Sequence, residues 1–356
     1  MSVLELNPPN NHANKTFFLG LPYVSRGPLL ETAKDMGAAV LISANALSVR
    51  TKIDGLPQWE RFKTSSLHLL DGMDAALDSA GFVATCRYGG YEWPLEAYMD
   101  LCAAYPWRFF AALDYCVEPE VAGTREEVLD RISMTVRSLW ESRRAASERG
   151  IADRLMPVIQ GWATEDYARC LDRMSGAIEP DTLLGVGSVC RRHVKGRNGI
   201  LEVVDRIDRE LGDHPARLHL FGVKSDAAGE LAAHPRVASF DSQAYGVRAR
   251  VLAREGGFSK SNVFLAEVMR SWYERQRATI ARYSPSLLDT VNRTYGSQSQ
   301  GEFDLLMVSD FESRISAARE EMRLLVQSGD LESSDLTDAR ALAWAFDNQD
   351  EDENED

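Results

Sequence analysis

Residues 155–188 read LMPVIQGWATEDYARCLDRMSGAIEPDTLLGVGS. A short apolar run, Leu155–Gln160, gives way to a stretch of helical period, Glu165–Met174, and then to a second apolar run, Thr182–Val186. Apolar runs of this length suit strands buried on both faces, and a helix between two of them is the crossover that joins parallel neighbours. Outward from this unit the alternation recurs. Further runs lie at Thr16–Leu21, Ala38–Ile42, Ala76–Ser79 and Arg108–Asp114 on one side, and at Leu218–Val223 and Val237–Asp241 on the other. Helical patterns separate most of them, notably Thr124–Ser147, Gly199–Leu211 and Ala227–Ala233. Eight such runs fit the ~250-residue scale of a closed barrel. The competing open, doubly wound sheet lacks its usual mark, because no G-x-G-x-x-G joins the first strand to a helix. The expected fold is therefore α/β, a TIM-like (β/α)8 barrel with additional C-terminal helices.

On this reading residues 1–15 form a flexible polar N-terminus, 16–285 the barrel, 286–346 a C-terminal helical segment and 347–356 an acidic disordered tail. Amphipathic patterns at Ser259–Tyr283, Phe303–Val326 and Leu336–Phe346 supply the late helices. The chain has 356 residues, 44% hydrophobic, which is long enough to bury a core without metal or disulfide support. Seven Trp and a charged fraction of 26% exclude a mostly disordered chain. No apolar stretch approaches the ~18 residues of a membrane span, so no membrane partner is expected. The polar start at Met1–Lys15 lacks the basic and apolar regions of a secretory signal. Five cysteines (Cys86, Cys102, Cys116, Cys170 and Cys190), without a C-x-x-C pair, read as reduced thiols of a cytoplasmic protein. The six histidines show no metal-ligand spacing and read mostly as surface or packing residues, so neither a metal nor any other cofactor is expected. Net charge is −14, yet seven of the acids fall within the last ten residues, and the remaining mild acidity still permits a local nucleic-acid-binding stripe.

In a parallel barrel, chemistry gathers where strands end. Five runs end on polar or glycine-rich residues: Asp78-Ser79, Asp114, Gln160-Gly161, Gly185-Val186-Gly187 and Asp241-Ser242. Each Asp also suits a helix cap or turn, and the glycines a tight connection. Their coincidence at one rim points instead to carboxylate chemistry. A carboxylate pair is what glycosyl transfer needs, one to attack the anomeric carbon and one to manage the leaving group's proton. A third acid and an amide can read the hydrogen-bonding edge of a purine such as guanine.

At these residues the chain resembles the tRNA-guanine transglycosylase superfamily, and more narrowly the DpdA branch that inserts 7-deazaguanine bases into DNA. Asp78-Ser79-Ala80-Gly81-Phe82 is similar to the D-S-G-G-F element, with Ala80 in place of a glycine. By that likeness Asp78 is the general acid/base, and Ser79 and Phe82 lie against the base. Ala112-Leu113-Asp114-Tyr115-Cys116 resembles F-D-E-C and gives Asp114 the purine N–H edge. Pro157-Val158-Ile159-Gln160-Gly161 resembles the V-Q-G element and brings Gln160 and Gly161 to the base. Gly185-Val186-Gly187 resembles the glycine-rich strand end whose backbone N–H meets the base oxygen. Leu218–Val223 followed by Ser239–Ser242 resembles L-x-G-V-G…F-D-C/S, which places Gly222 at the site and the nucleophile at Asp241.

The resemblance implies a two-step exchange in DNA through an aspartyl-glycosyl intermediate, with guanine leaving and a 7-deazaguanine, such as 7-cyano-7-deazaguanine, entering. It implies a flipped-out nucleotide and leaves room for a helper protein of a DNA-modification system. Phosphate contacts are expected from Arg191, Arg192, Lys195 and Arg197, which follow the glycine-rich strand end, and from Arg248 and Arg250, which follow Asp241. The C-x-C-x-x-C…H zinc site of the tRNA enzymes cannot be built here, since no cysteine follows Cys190. That departure suits the DNA branch. A tRNA-specific enzyme, a non-catalytic nucleic-acid-binding paralogue and an unrelated glycoside hydrolase stand as alternatives.

Overall fold

The structure, a computed structural model, describes residues 15–53 and 56–283. The expected N-terminal arm before Lys15, the helical patterns at Phe303–Val326 and Leu336–Phe346, and the acidic tail lie outside the described residues. In chain order the strands are β1 (Thr16–Leu21), β2 (Ala39–Ser43), β3 (Ser48–Ile53), β4 (Leu56–Phe62), β5 (Ala75–Asp78), β6 (Phe110–Ala111), β7 (Leu155–Met156), β8 (Val158–Ile159), β9 (Leu183–Val186), β10 (Arg217–Leu220) and β11 (Val237–Ser242). All but the β3–β4 hairpin belong to one parallel sheet whose order, β1-β2-β5-β6-β7/β8-β9-β10-β11 and back to β1, follows the chain. This is the (β/α)8 barrel.

Where the sequence reads one strand over Leu155–Gln160, the structure has two. Pro157 has no N–H to donate and breaks the ladder. The piece before it, β7, pairs with β6, while the piece after it, β8, pairs with β9, so the ring is completed across this break. The run Arg108–Asp114 is regular only at Phe110–Ala111, though Arg108 N–H still donates to Ala75 O (2.8 Å) and Ala112 N–H to Met156 O (2.9 Å). The antiparallel hairpin after β2 is an addition the sequence did not reveal, because the charges of Arg50, Lys52, Glu60 and Arg61 interrupt any apolar alternation.

Nine helices are described: α1 (Pro28–Asp35), α2 (Gly81–Tyr88), α3 (Leu95–Ala103), α4 (Arg125–Glu148), α5 (Thr164–Met174), α6 (Ile200–Leu211), α7 (Ala228–Ala233), α8 (Ala244–Gly256) and α9 (Asn262–Tyr283). The longest starts where the sequence demands: Thr124 Oγ1 accepts Glu127 N–H, and Glu127 returns a carboxylate to Thr124 N–H. α9 packs on α1, α7 and α8. Its Trp272 and Tyr273 lie against Phe17 of β1, with ring centroids 5.5 Å apart in both pairs.

Strand side chains alternate between two cores. Phe17 and Leu19 face the helices, within a large apolar layer. Phe18 between them faces the barrel axis, with Leu41, Ala76, Phe109, Ala111, Met156 and Val158. Both layers are closely buried, and each fully buried side chain of this size contributes ~1.5–3 kcal/mol. The strand ends are held rigidly as a result.

Candidate active site

The C-terminal rim gathers the expected residues. Asp78 ends β5, Gln160 follows β8, Gly187 follows β9, and Asp241 is the next-to-last residue of β11. Asp114 lies just beyond β6, in the loop toward α4.

Asp114 is the most tightly held. It is buried, one carboxylate oxygen accepts Ser79 Oγ–H (2.6 Å), and the other accepts the Gln160 side-chain amide. Tyr91 braces the same residue from below. Its hydroxyl donates to Asp114 O (2.9 Å), accepts Asp114 N–H (3.1 Å) and lies 2.9 Å from Ser79 Oγ. Burial raises the Asp114 carboxyl above its usual range, and the bonds from Ser79, Gln160 and Tyr91 oppose that rise.

Asp78 is half-buried and accepts Ala80 N–H at 3.0 Å. Burial, followed by the negative charges of Asp114 and Asp241, pushes its carboxyl up to about 7. The three acids therefore share one electrostatic neighbourhood. Ala80 itself has φ +66°, the left-handed region that glycine occupies freely. This explains why the related element carries glycine there.

Asp241 is buried and receives Gly222 N–H at 3.0 Å. Gly222 has φ +63°, and a Cβ on it would stand 2.7 Å from that of Cys190, so the close approach admits no side chain. His219 lies beneath, fully buried among Phe18, Phe109 and Phe221, with Nε2 3.4 Å from Asp241 Oδ1 and Nδ1 2.8 Å from Ser239 Oγ. Asp241 Oδ2 has no hydrogen bond among the described residues.

Several expected contacts are corrected by the geometry. The N–H groups of Gly185 and Gly187 donate to Pro157 O (2.8 Å) and Ile159 O (3.0 Å) in the sheet, so neither is available to a base oxygen. Gly187 matters by size instead: a Cβ there would lie 2.2 Å from Gln160 Nε2. Gly161 likewise makes room for Tyr167 and Asp166. Ser79 and Gly222 hold the carboxylates and are not open contacts themselves. Arg192 is not a phosphate contact. It is 4% exposed, and its guanidinium donates to the carbonyls of Ser188, Gly161, Trp162 and Asn198. Arg191 pairs with Glu120, and Lys195 with Glu230 at 2.8 Å, whereas Arg197 is exposed. Arg248 and Arg250 are half-buried on α8, Arg248 next to Arg275 of α9. Phe82 is half-buried in the first turn of α2.

Sequence reading missed Tyr91, Glu118, Ser188 and the contact of His219 with Asp241. Only Ser188 had a local signal, its place directly after the glycine-rich strand end. A groove lined by Pro28, Thr32, Val263 and Ala266 lies between α1 and α9 and includes none of the rim residues. Among the described residues no group of His, Cys, Asp and Glu could hold a metal ion, and no helix is long and apolar enough to cross a membrane.

The mouth of this parallel barrel gathers three carboxylates, one of them bonded to the buried amide of Gln160, as expected of a transglycosylase-type barrel. A family model matches residues 60–302, about two-thirds of the chain, and the chain belongs to that family: DpdA, DeoxyPurine in DNA protein A, a DNA-modification family. The match begins within β4, so β1 and β2 lie outside it. No curated protein matches the sequence.

Proposed function

We propose that the protein exchanges guanine in DNA for a 7-deazaguanine base by double displacement, with Asp241 as nucleophile and Asp78 as general acid/base. The observation that carries the reading is the opposite setting of these two acids. Asp241 is oriented by Gly222 N–H and keeps a second oxygen without a hydrogen-bond partner among the described residues, while Asp78 is burdened by burial and by both neighbouring charges. A carboxyl that titrates near neutrality suits proton transfer, and an oriented carboxylate suits attack.

In the first displacement Asp241 Oδ forms a bond to C1′ of a flipped-out deoxyguanosine as the C1′–N9 bond breaks. The departing guanine takes the proton from Asp78. In the second, the entering base gives its N9 proton to Asp78, its nitrogen bonds C1′, and Asp241 leaves as a carboxylate. Both steps pass through an oxocarbenium-like state stabilised by the carboxylate across the ring. Asp114 accepts the base's N–H edge and Gln160 donates to its oxygen, with Phe82 alongside. No metal or other cofactor enters the scheme. Arg197, with Arg248 and Arg250, stands toward the DNA backbone, and a helper protein that opens the duplex is compatible with it.

Incubating the full chain with DNA or tRNA and a labelled deazaguanine, then digesting to nucleosides for mass spectrometry, tests the reading. Label in deoxynucleosides supports it. Label in tRNA alone assigns the activity to the tRNA-specific class, and free sugar without a new nucleoside assigns hydrolysis.

A further inference from the structure

Ser188 Oγ has more partners than an ordinary hydroxyl can satisfy with carboxylates ionised. It accepts Val117 N–H (3.0 Å), lies 2.7 Å from Gln160 Oε1 and lies 2.9 Å from Glu118 Oε2. A serine hydroxyl has one hydrogen and two lone pairs. Gln160 Oε1 can only accept, so the serine hydrogen belongs there. The contact to Glu118 then becomes a hydrogen bond only if Glu118 carries a proton and donates it. Ionise Glu118, and it competes for the single serine hydrogen, leaving two oxygens facing each other at Gln160.

The amide of Gln160 transmits this choice. With its oxygen held by Ser188, its nitrogen faces Asp114, which accepts as a carboxylate. With the amide reversed, its oxygen faces Asp114, which must then be protonated, while the nitrogen donates to Ser188 and Ser188 to an ionised Glu118. One proton is thus placed on either Glu118 or Asp114, and the amide turns with it. The two states present different codes to a base: acceptor then donor in the first, but two acceptors in the second, because the Asp114 proton is spent on the Gln160 oxygen.

We propose that Glu118, acting through Ser188, is a specificity-determining positioning residue that fixes the polarity of Gln160 and so selects a 2-amino-6-oxo purine edge over a 6-amino one. The inference rests on the reading of Asp114 and Gln160 as the base-recognition pair. Glu118 is 1% exposed and, among the described residues, has no ion-pair partner. Burial raises its carboxyl above the usual range, with Glu120 adding to the rise. The titratable groups around it are Glu120, Cys86, Cys116, Cys190 and Tyr167, with Arg191 engaged by Glu120 and Arg192 by backbone carbonyls and the Tyr167 hydroxyl. Ser188 adds independent support: at φ +52° it occupies the left-handed region that favours glycine, yet it carries the hydroxyl the chain of bonds requires.

Equilibrium binding of 7-deazaguanine and 7-deazaadenine to the full chain, from pH 6 to 9, tests the assignment. Wild type should prefer 7-deazaguanine, with a preference that falls as pH rises. Glu118→Gln, which keeps a donor toward Ser188 at every pH, should retain the preference and flatten its pH profile. Glu118→Ala and Ser188→Ala should lose roughly 10- to 100-fold of it, with unchanged circular dichroism. An unchanged preference and pH profile in Glu118→Ala overturns the inference, as does a wild type that binds neither base. If wild type shows the preference but transfers no label to DNA, the exchange reaction falls and the specificity role stands.

Discussion

At the end of the barrel where strands begin, Lys15 is buried with its ammonium donating to His234 O and Val237 O, and Arg217 donates to Val237 O as well. At the end where strands finish, Asp78, Asp114 and Glu118 are gathered, and none of them has a Lys or Arg ion-pair partner among the described residues. Backbone carbonyls compensate the cation below. The acids above meet one another and a handful of neutral donors. Backbone acceptors tie the strand starts together around this cation, although burial still disfavours its charge. The acids above carry a cost of their own: burial raises the carboxyls of Asp78, Asp114 and Glu118 above their usual range, so that ionising them weakens the folded state.

The sharpest contrast between the ends is in activity. Asp241→Asn keeps an acceptor for Gly222 N–H but removes the anion that the proposed exchange uses for attack. Incorporation of labelled base into DNA is expected to fall at least ~10⁴-fold, with no loss of folded structure. Gly187→Ala should act next most strongly. The added Cβ requires the Gln160 amide to move from Asp114, and base affinity in the same assay should fall by roughly 100-fold. A Gly187→Ala protein with wild-type affinity would show that Gln160 does not read the base.

The rim was legible in sequence because its signal is local. An apolar run that stops on Asp78, Gln160 or Asp241 announces both a strand and its polar end, and the order of eight runs announces the barrel. What was not legible is made across the fold. Tyr91 reaches Asp114 over 23 residues, and Ser188 reaches Glu118 over 70, pairings that no spacing rule encodes. The basic run after the glycine-rich strand end misled for a related reason. Charge along a sequence says nothing of burial, and Arg192 turns inward to satisfy the carbonyls of Ser188, Gly161, Trp162 and Asn198. His219 sits one residue out of phase with its apolar neighbours Leu218 and Leu220, so it faces the barrel axis under Asp241 while they face the helices.

The lower end should show itself in alkaline stability. Burial, followed by the charge of Arg217, lowers the Lys15 ammonium from 10.5 to about 8 in the folded state. The unfolded chain therefore holds that proton more tightly, and stability rises as pH climbs from about 8 toward 10.5. The contribution is up to ~3 kcal/mol. Denaturant unfolding of wild type and Lys15→Met across this window should show the rise in the first and its loss in the second, with base exchange at neutral pH unchanged. An identical pH dependence in the two proteins would remove Lys15 from the comparison.

The upper end should titrate with the opposite sign. The folded-state value of Asp78 is raised from 3.8 to about 7, so its stabilising effect is complete below pH ~4 and is lost as pH rises through 7. Asp78→Asn removes the titration while an amide oxygen still accepts Ala80 N–H. Because Asp78 is only half-buried, water screens part of the penalty, and the gain at pH 8 is about 1–2 kcal/mol. The variant should thus be more stable than wild type at pH 8, equal to it near pH 4, and defective in exchange at both. A variant that is less stable at pH 8 would mean that the Asp78 carboxylate is well accommodated in the fold. The acids of the mouth would then no longer be held at the expense of stability, and of the two ends only the buried ammonium would carry that cost.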